Sequence, residues 1–68
     1  MSIFNELEMA LRTDQSDTAK VLGIGKSSYS MYKTGSKKTP LYIRYSIEVI
    51  LMLSEEKKKE LRNKRLAK

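Results

Sequence analysis

Gly23-Ile24-Gly25 is the stretch that most restricts how this chain can fold. It separates two short segments of helical character, Gln15 to Leu22 and Lys26 to about Lys33, and two glycines flanking one apolar residue break a continuous helix. A junction of this length suits two helices crossing at a steep angle, with Ile24 turned back to the core. The residues on either side fit that geometry. A small side chain at Ala19 lets the second helix come close, and Leu22, Ile24, Tyr29 and Tyr32 supply apolar volume to fill the wedge between the two.

The remaining segments read as helices that support this pair. Ser2 is placed to cap a first helix in which Ile3, Phe4, Leu7, Ala10 and Leu11 recur every three or four residues, with Asn5, Glu6, Glu8 and Arg12 assigned to the opposite side. Asp14 is an acidic cap for helix 2, and Asp17 adds a second carboxylate in its first turn, where the amide end of a helix is positive. After the polar loop Thr34 to Thr39, Pro40 fits the first turn of a helix covering about 40–53. That helix is apolar on two sides. Ile43, Ile47 and Ile50 form one stripe, and Tyr42, Tyr45, Val49 and Met52 form another roughly opposite. A 68-residue chain buries only about 60% of the surface its unfolded form exposes, so the second stripe is expected to meet a second subunit; the competing expectation is that helix 1 and the tail cover both. Residues 55–68 form a basic C-terminal helix or tail with possible i, i+4 pairs at Glu55–Lys59 and Glu60–Lys64. Only Leu61 and Leu66 could anchor it, so packing through Leu61, continuation of helix 4 and fraying all stay open. The predicted architecture is all-α, with four or five helices, residues 1–54 forming the folded domain.

Charge narrows the partner. Fourteen Lys+Arg against eight Asp+Glu give +6, which favours an anionic partner, nucleic acid or an acidic membrane surface. Between Thr18 and Ile47 there is no acidic residue, while Lys20, Lys26, Lys33, Lys37, Lys38 and Arg44 fall in that window. Neither cysteine nor histidine occurs, which removes disulfides, thiolate zinc sites and the commonest acid-base side chain. A nucleophile would need Ser with Lys, or a pair of carboxylates, and no such set stands out. A binding module is expected, with no catalytic residues, no metal and no cofactor. No apolar run approaches the roughly 18 residues of a membrane span and no signal peptide is apparent, so the expected location is the cytoplasm. The tail lacks the continuous apolar face that lying on a membrane requires.

The stretch Gln-x-x-x-Ala-x-x-Leu-Gly-Ile-Gly-Lys-Ser, followed by Tyr29, Tyr32 and Gly35, resembles the Cro/CI-type helix-turn-helix of phage repressors, the lambda-repressor-like domains. It covers about a third of the chain. The run Pro-Leu-Tyr-Ile-Arg-Tyr-Ser-Ile after the loop looks like that of very small phage-borne autoregulators, including anti-CRISPR-associated repressors. Three positions depart from the family: Thr18 and Tyr29 stand where aliphatic residues are usual, and Gly25 replaces the common capping Ser or Thr. Tyr29 accordingly reads either as a wedge residue or as one leaning outward to a phosphate.

The resemblance implies a dimeric, sequence-specific regulator of transcription on double-stranded DNA, a repressor of its own operator, working in the cytoplasm or nucleoid of a bacterial host without a small-molecule effector. Lys26 and Ser27, with Ser30 and Met31 one turn on, would enter the major groove. There Lys26 can donate to guanine O6 and N7, and Met31 can touch a thymine methyl. Gln15, Lys33, Thr34, Lys37, Lys38 and Arg44 would contact phosphates, which position a protein without reading sequence. Tyr42, Tyr45, Val49 and Met52 would form the dimer interface. Two other readings stand beside this one: an adaptor that binds protein through the apolar face of helix 4, and a nucleic-acid binder without sequence preference. Tyrosines stacking on unpaired bases would serve the latter.

Overall fold

Local capping sets where each helix starts. In the computed structural model, which describes residues 2–67, five α-helices follow one another: α1 (Ile3–Leu11), α2 (Gln15–Leu22), α3 (Lys26–Thr34), α4 (Leu41–Met52) and α5 (Glu55–Leu66), with no strand among the described residues. The Ser2 hydroxyl accepts the Asn5 amide at 3.3 Å, an Asp14 carboxylate oxygen accepts the Asp17 amide at 2.8 Å, and the Ser54 hydroxyl accepts the Lys57 amide at 3.2 Å. Each bond satisfies one of the amides that a helix start leaves unpaired. No helix among the described residues is long and apolar enough to cross a membrane.

The helix ends are equally specified. At the end of α2, Gly23 adopts φ +76°, its N–H donates to the Lys20 carbonyl at 3.1 Å, and the Ile24 N–H reaches back to Ala19 at 3.0 Å. This paired 5→2 and 6→1 closure requires a left-handed residue, which glycine adopts without penalty. It also turns Ile24 onto the core. Arg12 takes the same conformation after α1 with φ +56°, and the Thr13 amide closes on the Glu8 carbonyl at 3.1 Å. Pro40 precedes α4 as its cap and lies outside the first turn. Its carbonyl receives the Ile43 and Arg44 amides at 3.1 and 3.2 Å. Extended backbone at Leu53 (ψ 155°) separates α4 from α5, so the chain does not continue as one rod.

The core is built from Phe4, Leu7 and Leu11 of α1, Ala19 and Val21 of α2, Tyr29 of α3, and Ile43, Ile47 and Ile50 of α4. Val21 is buried with Ala19, and Leu22 only partly so, which places the inward side of α2 toward Ala19 and Val21. Thr18 is fully buried as well. Its hydroxyl donates to the Asp14 carbonyl at 2.6 Å and accepts from the Thr13 hydroxyl at 2.6 Å, so a polar residue at an apolar position loses no hydrogen bond by burial.

Tyr29 points inward, away from any phosphate. Its ring meets Phe4 edge to face, centroids 5.4 Å apart at 89°, an arrangement the ring quadrupoles favour. Its hydroxyl donates to the Glu8 carboxylate. Glu8 is thus turned inward, correcting its assignment to the solvent side of α1. The reason is its spacing, since Glu8 follows Phe4 by four residues and precedes Leu11 by three, on the buried side.

The C-terminal segment is an ordered helix packed onto the rest. Leu61 and Leu66 lie against the core. Arg62 donates to the Leu11 carbonyl at 3.3 Å and Arg65 to the Val21 carbonyl at 3.0 Å. These are carbonyls from the last turns of α1 and α2, where acceptors lack helical partners and the dipole is negative. On α5 itself the ion pair is Lys57–Glu60 at 3.6 Å, in place of the i, i+4 pairs read from the sequence.

Two consequences can be measured. Burial, then the hydrogen bond to Glu8 and the Glu8 charge, hold the Tyr29 phenol well above its usual range. Above about pH 10 the unfolded chain releases that proton while the folded chain keeps it, so the native state binds more protons and stability falls as pH rises. The contribution is complete below about pH 10. The stability gap between the native protein and Tyr29→Phe, from urea unfolding, should therefore narrow between about pH 10 and pH 12; a constant gap would show that the phenol is not held protonated. Second, replacing Arg62 and Arg65 together by Ala should cost about 2 kcal/mol and lower Tm by roughly 10 °C, measured by thermal circular dichroism.

Candidate nucleic-acid interface

The inner side of α3 is fixed and its outer side is clear. Tyr29 is locked into the core, and Lys33, one turn further on, places its ammonium 2.9 and 3.1 Å from the two Glu8 oxygens. One carboxylate on α1 therefore holds two successive turns of α3 and sets the helix's rotation about its own axis. Outside that joint, Lys26, Ser27, Met31 and Thr34 are exposed and Ser30 is half-buried, with Lys26 on the edge nearest Lys33, seven residues before it. The spacings 26/30/34 and 27/31 put these side chains on one face.

The first turn of α3 differs from that of α2. Gly25 caps α3 with no side-chain hydrogen bond, and no acidic residue lies in the first turn. Its leading amides have no side-chain acceptor, and the exposed Lys26 and Ser27 lie beside them, the surroundings in which a helix start receives an anion. At α2 the exposed Gln15 sits between Asp14, already bonded to the Asp17 amide, and Asp17 itself. Two carboxylates there oppose the phosphate contact assigned to Gln15, so the two helix starts are not equivalent.

The cations also divide. Lys33 is largely buried and paired with Glu8, which removes it from the free phosphate-facing set. Its partner is 25 residues earlier in the chain, a separation no local pattern reveals, although the Phe4, Glu8, Leu11 spacing does place Glu8 inward. Lys20, Lys26, Lys37, Lys38 and Arg44 are exposed, and none has a carboxylate partner within 4 Å among the described residues. The Lys37 amide donates to the Met31 carbonyl at 3.2 Å, while the Thr34 hydroxyl donates to the same carbonyl at 3.3 Å and receives the Ser36 hydroxyl at 3.1 Å. These bonds fold the loop back against the end of α3. Thr34 and Lys38 then line an open groove with Arg44, beside the starts of α1 and α4. Lys26, Ser27, Ser30 and Met31 thus share one helix face, Thr34, Lys37, Lys38 and Arg44 gather at its far end, and Gln15 lies apart on α2.

Sequence reasoning passed over Glu8, Arg62 and Arg65. The arginines carry no local signal, because their acceptors are backbone carbonyls 51 and 44 residues away. On α4, burial of Ile43, Ile47 and Ile50 leaves Tyr42, Tyr45, Val49 and Met52 in solvent, 68, 58, 59 and 84% exposed. Helix α1 and α5 do not cover that stripe.

No family model matches the chain, and neither does any curated protein or solved structure.

Proposed function

We propose that this protein is a sequence-specific double-stranded DNA-binding regulator of transcription, a lambda-repressor-like helix-turn-helix of the Cro/CI type. In this reading α2 and α3 form the motif, α3 enters the major groove, and the protein acts as a homodimer on a palindromic operator in the cytoplasm or nucleoid of a bacterial host, repressing its own synthesis. One observation carries it. The outer side of α3 presents Lys26, Ser27, Ser30 and Met31 beside a helix start with no side-chain cap and no acidic residue, while Tyr29 and Lys33 hold the helix against α1.

Each side chain has a chemical role on that surface. The Lys26 ammonium donates to guanine O6 and N7, Ser27 and Ser30 bond a base edge or a phosphate oxygen, and the Met31 thioether lies against a thymine methyl. Thr34, Lys37, Lys38 and Arg44 bind phosphates at the far end of the helix. Gln15 contributes least because of its neighbouring carboxylates. A dimer places two copies of α3 about one helical turn of DNA apart, so the half-sites are related by two-fold symmetry.

Selection of bound sites from random duplexes should return a two-fold symmetric sequence. Lys37, Lys38 and Arg44 from each of two subunits neutralise about six phosphates, so the logarithm of affinity should fall with that of salt concentration at a slope of about −5. A flat response would exclude duplex DNA as the partner. Lys26→Ala should cost about 1–3 kcal/mol and relax preference at one base pair of each half-site. Lys38→Ala should weaken all sequences alike and reduce the slope by about 2 in a dimer. Equal, sequence-blind losses from both variants would remove α3 from the base-reading role.

A further inference from the structure

The exposed face of α4 is symmetric along its length. Tyr42, Tyr45, Val49 and Met52 follow at spacings of three, four and three residues, an order that reads the same in both directions about position 47. A surface that pairs with its own copy across a two-fold axis must be self-complementary. For two helices side by side the axis runs either along them, giving a parallel pair, or across them, giving an antiparallel pair. A spacing that is symmetric about position 47 sets side chains level with one another in the second. We propose that α4 packs antiparallel against α4 of a second copy, with Tyr42 facing Met52 and Tyr45 facing Val49 on either side of the axis. This rests on the paired mode of action above and specifies how the pair is made.

Three features favour a copy of this chain as the occupant. First, the stripe supplies most of the area needed. Covered completely, its four residues at 68, 58, 59 and 84% exposure would contribute at most about 1,200 Å² over two copies, the lower bound of specific interfaces. An open groove between α2, α4 and α5, lined by Leu22, Ile50, Leu53 and Leu61 beside Tyr45 and Val49, continues the apolar surface. Second, the stripe has no charge, so two molecules of +6 meet there without opposing cations. Third, Arg44 and Glu48 lie one turn apart on the same flank, neither with an ion-pair partner among the described residues. The antiparallel arrangement brings two arginines and two glutamates together along one rim, where their charges balance.

The chain has no cysteine, so introduced thiols report the geometry directly. Tyr42→Cys and Met52→Cys change exposed side chains and leave the core intact. In the antiparallel pair each introduced thiol lies ten helix positions from its own copy, about 15 Å along the axis, beyond the roughly 7 Å Cα separation that a disulfide can bridge. Mild oxidation should therefore give little covalent dimer from either variant alone and abundant dimer from an equal mixture of the two. Disulfides formed efficiently by each variant alone would establish a parallel pair and overturn the proposal. Sedimentation of the unmodified protein should show a dimer, and Val49→Glu should raise its dissociation constant by at least tenfold. A monomer at all concentrations, or a dimer unaffected by Val49→Glu, would also overturn it. A parallel titration with duplex DNA separates the two readings: cross-linked dimer that binds no duplex removes the DNA assignment and leaves the pairing, whereas a monomer binding duplex with a steep salt response does the reverse.

Discussion

The Glu8 carboxylate is the interaction on which the placement of α3 depends. It receives the Tyr29 hydroxyl through one oxygen and the Lys33 ammonium through both, joining two turns of α3 to the middle of α1. A single apolar contact would allow a short helix to roll. Two directional bonds one turn apart do not, and the edge-to-face contact of Phe4 with Tyr29 closes the same joint from the side. Charge-assisted hydrogen bonds are stronger than neutral ones, and here a negative and a positive group neutralise each other where both are mostly shielded from water. The outward direction of Lys26, Ser27, Ser30 and Met31 follows from this inward fixing.

A chain this small gains limited stability from burial and has no disulfide to restrict its unfolded state. It uses the ends of its helices instead. Ser2, Asp14 and Ser54 occupy amides at three helix starts, and left-handed residues close α1, α2 and α3. The arginines of α5, three residues apart on one face, reach the final turns of two different helices at once. Because α5 is highly charged and has only two apolar anchors, its attachment combines Leu61 and Leu66 packing with these backbone contacts. Its positive charge is thereby partly used inside the protein, which explains why a basic C-terminus need not be a free tail.

The parts of this structure legible in the sequence are those governed by local rules. The spacing of Phe4, Leu7 and Leu11, the cap at Asp14 and the glycine at 23 each involve residues within one or two turns, and helices with near-matching limits follow from them. What was not legible depends on partners distant in the chain. A glutamate in an amphipathic helix is assigned to solvent unless its cation is known, and Glu8 finds its own 25 residues on. Thr18 looked out of place in an apolar wedge because its polarity was visible and its acceptor, the backbone carbonyl of Asp14, was not. Tyr29 looked ambiguous for the same reason, since a buried phenol needs an acceptor and that acceptor lies on another helix. For the candidate site, the outward face of α3 was readable from helical spacing, whereas the pairing of Lys33 and the contrast between the two helix starts required tertiary structure.

Helix α4 poses a different problem, because both of its stripes are largely apolar and helical spacing alone does not rank them. Shape does. The β-branched isoleucines at 43, 47 and 50 are compact and fit a closely packed interior, where rotamers are few and volume must be filled. The tyrosines at 42 and 45 each carry a hydroxyl that, buried in this small core, would need a partner of the kind Glu8 supplies only to Tyr29. Turning α4 over would therefore bury two phenols without acceptors and expose three isoleucines. At a surface between two molecules, the same rings can cover apolar area while their hydroxyls reach water at the rim. The stripe left outside is thus the one whose chemistry suits an interface that is apolar at its centre and wet at its edge. It is carried by a different helix from the outward face of α3, so the apolar side chains of the proposed pairing are distinct from the proposed base-reading ones, and Arg44 of α4 is the side chain that enters both.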